Sequence, residues 1–220
     1  MSGSPRHDRL DVGPWAWDWF RERVLASWYL LVPLALLIML AGGAGNMLVR
    51  GLLAFVSIVA LRLWDDVEDL AHDRRHYPTR VLCRLPSSKG PRRLAYVGLV
   101  ASCVPTLVLG GAYAPVAGAT FAAAAGVYEA RSVWPRLRVL FAHVILLKVP
   151  ALAIALALPA MPPRVVFGRA LVLYGVVGAY ELLHDAEARR SPFALALALV
   201  DLVCLCAGLV VWLLHDRISP

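Results

Sequence analysis

Charge is scarce in this sequence: 17% of its 220 residues are charged, whereas 60% are hydrophobic. A chain so composed has more apolar surface than one soluble core can bury, which excludes an ordinary water-soluble domain. Cysteine is sparse too. Cys83, Cys103, Cys204 and Cys206 form no CxxC pair and three of them lie in apolar runs, so they read as reduced, structural thiols. Of six histidines, His7 and His215 lie near the termini. The rest are too few for a membrane di-iron oxygenase, which argues against a transition-metal site on the i,i+4 pair His72 and His76. Residues 1–23 lack an apolar signal-peptide region, so no cleavable leader is expected. Internal repeats are absent, and no low-complexity tract appears beyond Leu/Ala richness.

What the sequence does have is long apolar runs. Runs of about 18 to 22 residues cross a bilayer at 1.5 Å of rise per residue. Roughly seven are expected, over 24–43, 47–65, 94–113, 114–130, 138–158, 165–187 and 193–214, with a tight turn at Gly110–Pro115. The fold class is therefore all-α, a polytopic membrane helical bundle. It forms one intramembrane domain over 24–215, after a cytosolic or interfacial segment over 1–23 whose Pro14–Phe20 stretch, PWAWDWF, reads as an aromatic anchor. Arg74, Arg75, Arg80, Arg84, Lys89, Arg92 and Arg93 crowd the connection after the second run. The positive-inside rule then places the N-terminus and that connection in the cytosol, in a cytoplasmic membrane, and the C-terminus outside. A net charge of +7 follows from this topology and from attraction to anionic lipid, so no nucleic-acid partner is needed.

The second run ends in Arg62-Leu63-Trp64-Asp65-Asp66-Val67-Glu68-Asp69-Leu70-Ala71-His72-Asp73. At 100° per residue, Asp66, Asp69 and Asp73 share an arc of about 60°, with Arg62 one turn deeper on the same arc. Like charges packed this closely repel unless a cation lies between them. Hard carboxylate oxygens suit a magnesium ion, Mg²⁺, which binds through a few carboxylates and substrate phosphates. The plainer reading is a solvated helix end, although acids at a helix C-terminus oppose its dipole. A second cluster closes the sixth run, where Glu181, His184 and Asp185 share a face. Arg131, Arg136 and Arg138, beside Tyr128 and Glu129, end the fourth run and begin the fifth on the same side, where they could meet phosphate oxygens.

Asp65-Asp66-x-x-Asp69-x-x-x-Asp73 resembles the (N/D)DxxDxxxD motif of the UbiA superfamily of intramembrane prenyltransferases. Tyr77-Pro78-Thr79-Arg80 is similar to that family's basic loop, Tyr128-x-x-Arg131 to the end of its fourth helix, and 181–188 to its second acidic motif. The likeness covers roughly residues 15–190. It implies a helical fold around a lipid-facing cavity, with Asp66, Asp69 and Asp73 as catalytic residues. Metal ligands would be Asp65, Asp66, Asp69, Asp73, Glu181 and Asp185. Arg62, Arg74, Arg80, Tyr128 and Arg131 would bind the diphosphate of an isoprenyl diphosphate, whose allylic cation passes to an unknown prenyl acceptor. Glu181, His184 and Ala188 stand where the family's second motif has three aspartates, and about seven spans stand where it has nine, which leaves room for an oligomer or partner subunit.

Other classes remain open at this point: a UbiA-type terpene cyclase, a non-catalytic membrane scaffold, or a transporter, the last disfavoured by the lack of paired repeats. Lys148 and Asp201 fall at matching depths in the fifth and seventh runs. Buried charges need partners, so a salt bridge between them is expected. His143 reads as a packed, hydrogen-bonded helix residue. Gly42, Gly43, Gly45, Gly110, Gly111, Gly175 and Gly178 read as turn or close-packing positions, and Pro33, Pro105 and Pro150 as kinks.

Overall fold

The computed structural model describes residues 13–41, 46–110, 113–157 and 161–218. The glycines expected to turn the chain at 42, 43, 45 and 111 lie outside them. Eleven α-helices follow one another among the described residues: α1 Pro14–Phe20, α2 Trp28–Ala41, α3 Met47–Glu68, α4 Leu70–His76, α5 Lys89–Gly110, α6 Ala114–Val133, α7 Arg138–Ile145, α8 Lys148–Ala155, α9 Pro163–His184, α10 Ala186–Arg190 and α11 Ala194–Ile218. A π-helical turn over Arg21–Leu25 continues α1. No strand occurs among the described residues, so the all-helical expectation holds.

Four helical stretches are long and apolar enough to cross a membrane: Met47–Glu68, Arg138–Ala155, Pro163–His184 and Ala194–Leu214. A fifth joins them if Pro14–Leu25 and Trp28–Ala41, bent 74° from each other, form one broken span. The chain has the composition and form of a multi-pass membrane protein. With 22 residues, α3 is about 33 Å long, enough to cross a hydrocarbon core of about 30 Å. It starts after Asn46, whose φ of 35° is a left-handed conformation that asparagine tolerates.

Apolar side chains of α2, α3, α6 and α8 meet in one core that includes Ile38, Ala54, Trp64, Tyr128 and Leu152. α5 lies along α3, and α9 lies along α11. The α9–α11 approach is close because small residues permit it: a Cβ on Gly208 would stand 2.5 Å from the Gly168 carbonyl oxygen, and one on Gly175 2.6 Å from that of Asp201. The far side of α11 presents Leu195, Leu199, Leu202, Val203 and Val210, a face suited to lipid.

The prolines do not act alike. α2 and α5 run on through Pro33 and Pro105. The fifth span instead breaks between α7 and α8. Pro150 has no N–H for the Leu146 carbonyl, which accepts from Val149 at 3.0 Å, and the ladder tightens to i→i−3 bonds at Leu146 and Leu147.

Candidate functional site

The acidic run lies on α3 and α4, which meet at Asp69 (φ −85°, ψ −1°). Its four aspartates turn to four separate sets of cations. Asp66 is buried, and both its oxygens are taken: Trp19 Nε1 and Arg23 Nε each donate to Oδ2 at 2.9 Å, and Arg23 Nη2 donates to Oδ1 at 2.6 Å. Arg62, one turn back on α3, stands 3.8 Å from the same carboxylate. Asp73, also buried, pairs with Arg80, whose guanidinium lies 4.0 Å over the Tyr77 ring.

Asp65 and Asp69 are more open, at 26% and 28% side-chain exposure. Asp65 accepts from the Lys148 ammonium and from the Tyr128 hydroxyl, and Lys148 Nζ also donates to Tyr128 at 3.0 Å. Lys148 is only 4% exposed, and its charge is further met by the faces of Trp64 and Tyr128. Asp69 pairs with Arg131 and, at 3.2 Å, with Arg138. Glu68 faces Arg92 at 3.6 Å.

The second cluster separates into parts. Glu181 lies on α9, one turn before its end at His184. Asp185 instead caps α10, accepting from the Glu187 backbone N–H at 2.7 Å. His184 is exposed, stacks on Tyr180 and bonds its carbonyl at 2.9 Å. Arg74 donates to the Leu85 carbonyl at 2.9 Å and so fastens the following loop. Outside the spans, burial and then the charges of Arg138 and His76 push the His72 imidazole below its ordinary value, while burial pushes the Cys83 thiol up.

Lys148 and Asp201 do not form the expected bridge. Lys148 goes to Asp65, whereas Asp201 Oδ1 lies 2.8 Å from His143 Nε2. His143 and Lys148 lie five residues apart on the same span, which turns their side chains about 140° from each other, so His143 faces Asp201 while Lys148 faces Asp65. Asp201 fits against α9 only because residue 178 is glycine, whose Cβ would stand 2.2 Å from Oδ1. His143 is a buried, hydrogen-bonded residue, as expected.

In this arrangement Asp66, Asp69 and Asp73 are each turned to protein cations. Both oxygens of Asp66 already accept hydrogen bonds, Asp73 has Arg80, and Asp69 turns to the opposite set of arginines. Among the described residues no three His, Cys, Asp or Glu side chains gather as a metal-binding group. Sequence reasoning reads Trp19 only as an interfacial anchor and misses Arg23. Arg23 ends the segment read as interfacial, where a guanidinium ordinarily reaches water along its own stem, so no local signal marked it as a partner of Asp66. Compared with protein-family models, curated proteins and solved structures, the chain has no match.

Proposed function

We propose that the chain is an intramembrane transferase of the UbiA type, acting on an isoprenyl diphosphate. The observation that carries this reading is the gathering of cations on the acidic run of α3, with Lys148 at Asp65, Arg62 3.8 Å from Asp66, and Arg131 and Arg138 at Asp69. Arg131 and Arg138 are cations at one end of the spans, with Arg62 and Lys148 deeper, and together they would face a diphosphate leaving group as it develops charge. Guanidinium and ammonium groups placed there stabilise C–O bond breaking. The apolar spans would hold the prenyl tail and keep water from the allylic cation. This reading counts seven passes: α2, α3, α5, α6, the α7–α8 pair, α9 and α11. It puts the acidic end in the cytosol, where the basic loop lies.

A second reading is favoured by one observation, the pairing of all four aspartates with protein cations. Such a network ties α1, α3, α6, α7 and α8 together at one end and suits a non-catalytic scaffold. Purified protein in detergent, given a panel of isoprenyl diphosphates with and without Mg²⁺, separates the two. The transferase reading expects saturable binding and diphosphate release, both lowered at least tenfold in Arg131→Ala. A prenylated acceptor would mark a transferase and a cyclic hydrocarbon a cyclase. Equal, negligible binding by wild type and variant, with and without Mg²⁺, would leave the scaffold.

A further inference from the structure

The first acidic motif is closed from within the chain. The π-helical turn at Arg21–Leu25 places Arg23 and, one turn back, Trp19 on the same carboxylate of Asp66. Between them in sequence, Glu22 accepts from the Val81 backbone N–H at 3.0 Å and so grips the loop that carries Arg80 to Asp73. Trp19, Arg23, Asp66, Asp73, Arg80 and Cys83 leave between them room for no more than a single water. A ligand approaching Asp66 has to displace a bidentate guanidinium and an indole N–H.

We infer that the N-terminal segment, α1 with its π turn, is a strap that shuts the Asp66–Asp73 half of the motif, with Arg23 occupying the place a ligand cation would take. Three features argue for a movable strap. The strap meets α2 at a 74° bend, with the joint at Ala26 and Ser27 outside both helices. π-helical turns are rare and concentrate at functional sites. The strap's outer face carries Trp17, 60% exposed, an aromatic suited to ride in the membrane interface as the segment lifts. Asp66 is on this account the latch of the strap. Its regulatory meaning rests on the transferase reading, because the strap then governs access of the donor to half of its motif.

Cys83 is half-buried and lines the same small space as Glu22 and Arg23, so its labelling rate reports how far the strap covers it. In full-length protein in lipid nanodiscs, with Cys103, Cys204 and Cys206 replaced by serine, the rate of maleimide labelling at Cys83 is measured at fixed pH. Charge-assisted hydrogen bonds of this kind hold a closed state strongly enough that Arg23→Gln and Asp66→Asn should each speed labelling about tenfold or more. The double variant should be no faster than the singles, because both remove one latch. Asp69→Asn, which loosens only the Arg131 and Arg138 side, should label at the wild-type rate. Wild-type rates in Arg23→Gln and Asp66→Asn would overturn the strap, as would equal acceleration by Asp69→Asn, which would signal general loosening. The assay needs no isoprenyl diphosphate. A failed labelling result therefore removes the strap and leaves the transferase reading intact, whereas a failed diphosphate assay removes that reading and leaves the latch.

Discussion

Replacing Asp65 by asparagine strands a buried ammonium. Lys148 is 4% exposed, and its polar partners are the Asp65 carboxylate and the Tyr128 hydroxyl. Asparagine keeps the shape of the carboxylate and removes its charge, so Lys148 must lose its proton or draw in water. Breaking a buried pair by removing one partner costs roughly 3 to 5 kcal/mol. The reciprocal change, Lys148→Met, is milder, because Asp65 is 26% exposed and can be partly hydrated; about 1 to 2 kcal/mol is expected. The double variant Asp65→Asn/Lys148→Met removes both charges and should recover about 2 kcal/mol of the summed single losses. Unfolding in mixed micelles under increasing denaturing detergent, followed by helical circular dichroism, measures all four corners. Additive losses, with Asp65→Asn no worse than Lys148→Met, would refute a direct buried pair.

Two further outcomes follow from the geometry. Gly178→Ala should destabilise by about 1 to 3 kcal/mol, since its Cβ would lie 2.2 Å from Asp201 Oδ1 and force α9 from α11; Gly118→Ala, where a Cβ meets nothing within 4 Å, is the matched control in the same unfolding assay. His72 should titrate by NMR below the ordinary histidine value of about 6.5. Its folded value is depressed, so its contribution to stability is present above the unfolded value and is lost as pH falls through the folded one.

The local part of the candidate site was legible from one dimension. Helical periodicity puts Arg62 and Asp66 on one face, and they are 3.8 Å apart. The partners of that face were not, because periodicity tells which side chains share an arc but not what packs against that arc. Asp66 is answered by Trp19 and Arg23, 47 and 43 residues away, and Asp65 by Lys148, 83 residues away. Depth in the bilayer likewise made Lys148 and Asp201 look like partners. His143, five residues before Lys148 and so about 140° around the helix, meets Asp201, and Lys148 meets Asp65.

By itself the sequence determined that this chain is helical and apolar enough to enter a membrane, since a bilayer demands backbone hydrogen bonds closed within each segment and side chains free of charge along its length. It also determined that one end of a long apolar helix carries a dense run of carboxylates. Tertiary structure alone decided where those carboxylates point and which cation meets each, because ion pairing depends on helices brought together from distant parts of the chain. It decided, too, that Gly178 makes space for Asp201 and that the N-terminal segment covers Asp66, contacts that hydropathy and spacing do not encode.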